Sequence, residues 1–343
     1  MGIVPSRQGV KTNINFRHFS GLFGLGCIIG FVVSIPLIQK ARIGAYISRQ
    51  RFRNNGRFPL VLMLEPLFRC NLRCKGCGKI DYPAETLKKM MNVEECIEAV
   101  EECGAPVVSI AGGEPLLHPQ IAVIIRELTA RKKFIYLCTN SLLVENRIKE
   151  FEPSSYLTFN IHVDGINDRH DERVGLKGVF DRAVAAIRLL ISHGFRVTTN
   201  TTFFRGETAE SAGELFDLLT ALRVEALTIA PAFNYENASD QKNFFKRDEA
   251  ISLFRSVFKH GKDRNWRFNH SSLYLDFLAG NQDYACLPWG NPTRNIFGWQ
   301  RPCYLLNDGY EPTFQDLIKN TDWSKYGAGR DPRCTHLHAP LRV

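Results

Sequence analysis

From Gly56 onward, short apolar runs alternate with stretches in which apolar residues recur every three or four positions. The runs are "PLVLMLEP" (59–66), "PVVSIAGGEP" (106–115), "FIYLCTN" (134–140), "YLTFNIHVDG" (156–165), "FRVTTNTTF" (195–203) and "ALTIAPAF" (226–233). Their length, and the Gly, Pro or Asn that closes most of them, predict strands. The periodic stretches predict helices over 93–102, 119–131, 144–150, 179–193 and 209–222. Strand and helix in strict alternation give a parallel sheet with covered faces. Six such units over 58–232 predict an α/β fold, a partial TIM-like (β/α)6 barrel with its chemistry at the C-terminal ends of the strands. Beyond Pro231 the pattern turns asparagine- and aromatic-rich, with one clear helix near 247–262. Residues 233–343 read as a C-terminal cap.

The N-terminus follows a different pattern. An apolar run from Phe19 to Ile38 is close to the length that crosses a bilayer, but it holds four glycines, two serines and Pro36. Residues 1–38 are expected to be either a membrane segment or a stretch upstream of the true start, for instance at Val33. Lys40, Arg42, Arg49, Arg51, Arg53 and Arg57 follow with no acidic residue between them. This basic amphipathic segment, 39–57, suits an anionic membrane surface on the cytoplasmic side. The whole chain carries a net charge of +9. No recognition motif or interleaved aromatics favour nucleic acid, so none is expected as a partner.

Ten cysteines in 343 residues is the usage of an intracellular protein, which makes them thiols or ligands and not disulfides. Three of them, Cys70, Cys74 and Cys77, lie within eight residues directly after the first predicted strand, in "EPLFRCNLRCKGCGKIDYP". C-x3-C-x2-C is a ligand spacing. A structural zinc site would want a second C-x2-C pair, and the chain has none. A ferredoxin-type cluster would want a fourth cysteine at close range. Three thiolates on a 4Fe-4S cluster leave one iron open to a substrate or cofactor. The second predicted strand ends in Gly112-Gly113-Glu114-Pro115, where two glycines let backbone approach a ligand and Glu114 can accept from an ammonium.

With these two motifs one βα unit apart, the chain resembles the radical S-adenosylmethionine (SAM) enzymes. The resemblance implies that Cys70, Cys74 and Cys77 ligate a 4Fe-4S cluster whose open iron chelates SAM, with Gly112, Gly113, Glu114 and Pro115 at SAM's amino end. It also implies reductive cleavage of SAM to methionine and a 5'-deoxyadenosyl radical, with reduced flavodoxin or ferredoxin as electron donor. Where many of these enzymes have an aromatic residue before the third cysteine, this chain has Gly76. From about Ile35 to Cys334, stretches such as "SIAGGEPLLHPQI", "WRFNHSSLYLDFL", "FGWQRPCYLLNDGY" and "DWSKYGAGRDPRC" make it similar to the radical SAM enzymes of hopanoid biosynthesis. That similarity implies addition of the adenosyl radical to the terminal alkene of diploptene, giving adenosylhopane. Family members continue past "DPRC" with further closely spaced cysteines, whereas this chain ends "DPRCTHLHAPLRV", so a frameshifted or truncated tail is expected.

Radical addition to a 1,1-disubstituted alkene leaves a tertiary carbon radical that needs a hydrogen atom. Cys138, at the C-terminal end of the third predicted strand, is the candidate donor; the alternative is a small buried hydrophobe. Asn140, His162, Asp164 and Asn200 stand at strand ends where they could line the SAM and substrate pocket. Lys75 and Lys79 could attract SAM's carboxylate, and Phe203, Phe204 and Phe233 suit an apolar substrate. Cys96 and Cys103 fall on the first barrel helix, away from the mouth. Cys286, Cys303 and Cys334 could hold a metal only if the fold gathers them. Two other functions stay open: a radical SAM enzyme acting on a peptide or RNA, and a non-catalytic iron-sulfur or zinc protein.

Overall fold

The computed structural model describes residues 32–334 apart from residues 80, 234, 235, 237, 239 and 240. Most of the apolar run from Phe19 to Ile38 therefore lies outside the described residues. Among those described, no helix is long and apolar enough to cross a membrane.

Eleven strands form one sheet: β1 Val32–Val33, β2 Val61–Glu65, β3 Val107–Ile110, β4 Phe134–Thr139, β5 Leu157–His162, β6 Arg196–Phe203, β7 Ala226–Pro231, β8 Arg267–Phe268, β9 Thr293–Asn295, β10 Gly298–Gln300 and β11 Tyr310–Glu311. Their order is β1-β8-β7-β6-β5-β4-β3-β2-β9-β10-β11. The six expected strands, β2 to β7, are neighbours in sequence order and all pair in parallel. They make the α/β partial barrel read from the sequence. Short strands extend it at both edges: β8 and β1 in parallel on one side, β9 in parallel and β10 and β11 antiparallel on the other.

The covering helices include Val93–Cys103, Ile121–Ala130, Val179–Ser192, Ala209–Ala221 and Arg247–His260. The first starts where Asn92 and Glu95 exchange side-chain and backbone bonds in a capping box, and stops at Gly104 in a left-handed turn. Alternate strand residues face these helices: Leu62 and Leu64, Val108 and Ile110, Ile135 and Leu137, Phe159 and Ile161, Leu227 and Ile229, all buried in one continuous core.

The other set of alternate residues faces the lumen, and it is polar. Ser109 and Cys138 are 3.5 Å apart, the Asn160 amide donates to the Cys138 sulfur at 3.5 Å, and Thr198 donates to Asn160 at 3.0 Å. One row thus crosses β3, β4, β5 and β6. A lower row runs from Gln39 to the Tyr136 hydroxyl at 3.2 Å and from Tyr136 to Asn269 at 3.2 Å. Gln39 comes from the helix Leu37–Phe52, into which most of the basic segment folds. That helix lies across the N-terminal ends of the strands. Tyr46 and Ile47 pack on Leu60, just before β2, and Arg42 stacks over Tyr156, just before β5.

Candidate active site

Cys70, Cys74 and Cys77 leave the C-terminal end of β2 on one loop; all three are half-buried and none forms a disulfide. The Cys77 amide bonds back to the Cys74 carbonyl at 3.2 Å through Gly76, whose φ of 77° lies in the left-handed region. A side chain there would strain the turn that brings the last two thiols together, which accounts for Gly76 in place of an aromatic. The Leu72 amide donates to the Cys70 sulfur at 3.4 Å. Burial pushes the Cys70 thiol up to about 11, with Glu114 and Cys77 adding to it. Burial raises Cys74 as well, and both Cys77 and Cys70 contribute. The thiols therefore sense one another, and a bound cation would be needed to hold them as thiolates.

The glycine pair has a use that the sequence alone does not reveal. A Cβ on Gly112 would lie 2.4 Å from the Leu67 carbonyl oxygen, and one on Gly113 would lie 2.2 Å from the Arg69 oxygen and 2.5 Å from the Phe68 oxygen. The close approach is made to the cysteine loop itself. Gly113 and Glu114 donate their amides to Leu67 and Arg69, each at 2.9 Å, so the two motifs are sewn together by backbone. Pro115 opens the short 3-10 turn Pro115–Leu117, where its missing N–H costs nothing.

Glu114 is buried, and burial pushes its carboxyl above the ordinary range against three donors. It accepts from the Leu116 amide at 2.9 Å, the Thr139 hydroxyl at 2.8 Å and the Asn140 amide at 2.8 Å. The expected ammonium acceptor is thus engaged in tying the end of β3 to the end of β4. Asn140 in turn donates to Asn71 at 2.7 Å and reaches the Cys70 sulfur at 3.8 Å. Glu114→Gln would leave one of the two backbone donors facing an amide N–H₂. The expected cost is about 1–3 kcal/mol, read as a lower urea midpoint.

The radical SAM superfamily matches residues 64–219, and a domain of unknown function, DUF3463, matches residues 227–339. The first match contains both motifs. Residues 64–219 form a radical SAM domain. A GTP 3',8-cyclase from Clostridium perfringens is 25% identical over 74% of this chain and 82% of its own length. One from Mycobacterium tuberculosis is 23% identical over 48% and 49%, so the chain spans about half the length of that relative. In fold, the chain resembles Streptococcus suis SuiB bound to S-adenosylmethionine, with a TM-score of 0.60 and 17% identity over 76% of this chain and 63% of that one.

The radical SAM domain uses a 4Fe-4S cluster and SAM. The residues present fit the cluster: three thiols share one loop, and a backbone amide aims at one sulfur. Among the described residues, no three His, Cys, Asp or Glu side chains stand close enough to hold a single metal ion.

At the ends of β5 and β6, His162 bonds Asp164 at 2.7 Å, and Asp164 also accepts from the Thr202 amide at 2.7 Å. Burial alone would depress the His162 imidazole, but the Asp164 carboxylate outweighs it and holds the ring above its usual value. His170 is buried next to this pair. Burial, reinforced by His162, pushes it down to about 4, and its Nδ1 accepts from the Asp164 amide at 3.1 Å. Asn200 is paired in register with His162, and its side chain makes no hydrogen bond among the described residues. Cys138, Asn140, His162 and Asn200 thus line one arc of the lumen from β4 to β6.

Other expected residues are differently employed. Lys79 is locked 2.9 Å from Glu65 in a buried ion pair, so its ammonium is not free for SAM's carboxylate. Lys75 is exposed, with only its amide fixed, to Arg173 at 2.8 Å. Phe203 packs between Phe216 and Phe254 on the helix side and belongs to the core, whereas Phe204 lies beneath Arg173 and beside Phe244. Cys96 and Cys103 are buried in the outer layer. Glu65, Asn160, Thr198 and Arg173 were not expected. The alternation along β2, β5 and β6 could have indicated the first three.

Proposed function

We propose that this radical SAM enzyme adds the 5'-deoxyadenosyl radical to the terminal alkene of diploptene, giving adenosylhopane. The supporting observation is Cys138. Its side chain faces the lumen, one strand from Glu114 and two residues from Asn140, and burial raises its pKa and keeps the thiol protonated. When bound, the cluster supplies the electron that cleaves SAM. The C5' radical forms a C–C bond to the terminal alkene carbon, and the resulting tertiary radical takes the Cys138 S–H hydrogen atom. The sulfur radical left behind needs one electron and one proton, which reduced flavodoxin or ferredoxin and water supply.

The triterpene substrate rests on the resemblance to hopanoid enzymes. A second reading, modification of a peptide or RNA, is favoured by the polar inner wall of Asn160, Thr198 and Asn200 and, for a peptide, by the fold neighbour SuiB, solved with its precursor peptide. Contact with an anionic membrane would use the exposed Leu37, Arg51 and Phe52. These lie at the barrel end opposite the cluster loop, so the mouth would face away from the bilayer.

The test is anaerobic turnover with SAM, a reductant and diploptene, followed by mass spectrometry. An adenosyl adduct supports the proposal; 5'-deoxyadenosine with unchanged diploptene overturns the triterpene assignment. In deuterated water the adduct is expected to gain one deuterium, because thiol hydrogen exchanges with solvent. Cys138→Ala should continue to cleave SAM while the saturated adduct falls about tenfold or more, roughly 1.4 kcal/mol of barrier.

A further inference from the structure

The polar row across the lumen runs in one direction. Parallel pairing sets Cys138 of β4 opposite Asn160 of β5, and Asn160 opposite Thr198 of β6. Thr198 donates its hydroxyl to Asn160 Oδ1 at 3.0 Å, and Asn160 Nδ2 donates to the Cys138 sulfur at 3.5 Å. On the other flank, Ser109 Oγ of β3 lies 3.5 Å from the same sulfur. Asn160 is 6% exposed and Thr198 1%, whereas Cys138 and Ser109 remain partly accessible.

The chemistry of these groups aims the thiol. A carboxamide has one accepting and one donating end. With Oδ1 engaged by Thr198, the end facing Cys138 carries only N–H, so the thiol hydrogen finds no acceptor on β5 and the sulfur accepts there. The S–H bond is left with Ser109 or the open side of the lumen. A carbon radical in the lumen meets the hydrogen only from that open side, and transfer falls steeply when reacting atoms are misplaced by an ångström. Two buried polar side chains that must satisfy each other are a costly way merely to fill a barrel wall, which apolar residues fill without partners.

We propose that Asn160, locked by Thr198, is the positioning residue for the Cys138 thiol: it holds the sulfur as an acceptor and keeps the thiol hydrogen turned from β5 toward the reacting carbon. The inference rests on the reading of Cys138 as hydrogen donor. In the step it serves, the S–H bond breaks, a C–H bond forms at the tertiary radical, and the unpaired electron stays on sulfur. Reduced flavodoxin or ferredoxin then supplies the electron, and water the proton, that restore the thiol.

The test is anaerobic turnover of the full chain with SAM, a reductant and diploptene, read as saturated adduct formed per methionine released. Asn160→Ala is expected to lower that ratio about tenfold. Thr198→Val, which keeps the shape and removes only the hydroxyl, should lower it less, and Thr198→Ser should return it to the wild-type value. Thr198 bonds Asn160 and not the sulfur, so a loss that follows its hydroxyl passes through Asn160. A second readout needs no substrate. The S–H stretching band of Cys138, isolated as the infrared difference between each protein and the same protein carrying Cys138→Ala, should broaden in Asn160→Ala and Thr198→Val and keep its wild-type form in Thr198→Ser. Wild-type ratios and bands in Asn160→Ala and Thr198→Val, with Cys138→Ala still losing the adduct, overturn the inference and leave the hydrogen donor standing. A ratio unchanged in Cys138→Ala overturns the donor reading itself, and the positioning role with it. If diploptene is not converted, or Asn160→Ala does not fold, the band of Thr198→Val decides: broadened, it supports the inference; unchanged, it overturns it. A band that narrows and rises in frequency when the carboxamide is removed would show the thiol donating to Asn160, which also overturns it.

Discussion

Gly113→Ala is expected to lower 5'-deoxyadenosine formation by roughly a hundredfold or more, because it shifts the cysteine loop by a fraction of an ångström to an ångström. The added methyl would sit 2.2 Å from the Arg69 oxygen and 2.5 Å from the Phe68 oxygen, inside any carbon–oxygen contact distance. Neither atom can step aside cheaply. Both belong to backbone that Gly113 and Glu114 hold through amide bonds at 2.9 Å, so relief requires the two motifs to separate. Cys70 begins one residue beyond Arg69, and its position follows. Iron content after anaerobic reconstitution should fall together with the rate of SAM cleavage. Gly56→Ala is the control, since a Cβ there meets nothing within 4 Å. A Gly113→Ala protein with wild-type iron and wild-type cleavage would mean that the loop tolerates displacement.

Lys79→Ala is expected to cost about 3–5 kcal/mol of stability, the penalty for leaving a buried carboxylate without its partner. Glu65 is 2% exposed at its side chain and Lys79 11%, and the ion pair is 2.9 Å long. The lysine ammonium also lies over the Phe68 ring, 5.3 Å from its centroid, and Phe68 stacks on Tyr82. Removing the lysine thus loosens the segment just after Cys77 as well as stranding Glu65. Urea unfolding measures the effect as a shift of midpoint at constant slope. Replacing both partners, with Glu65→Leu and Lys79→Met, should recover most of the loss. A single-variant cost below about 1 kcal/mol would mean that the pair is solvated.

These two residues illustrate what the sequence did and did not disclose. The barrel strands were legible because β2 to β7 are long enough to show composition and spacing, and their helices repeat with the 3.6-residue period. The candidate cluster cysteines were conspicuous because Cys70, Cys74 and Cys77 lie within one loop. Strands of two or three residues, such as β1, β8 and β9, have no period to read. Lys79 looked like a free cation because Glu65 is fourteen positions upstream and only the fold makes them neighbours. The glycine pair was recognised, but its contacts with Leu67 to Arg69 depend on β2 and β3 being adjacent. Gln39 gave no signal at all: a glutamine in a basic stretch is ordinarily solvated, and here it is 3% exposed inside the barrel.

The helix that carries Gln39 also shapes traffic through the molecule. With that helix laid across the N-terminal ends of the strands, the described lumen is covered at the end opposite the cysteine loop, and along the barrel axis it is a well whose floor is Gln39 and Tyr136 and whose mouth lies above that loop. Such a well imposes a queue. The molecule that enters first lies deepest and leaves last, so a bulky second reactant seals in the one before it until the reaction is over. Inhibition by product should then be mixed with respect to the first reactant and relieved only by clearing the mouth, a pattern that steady-state kinetics would register without any knowledge of the chemistry inside.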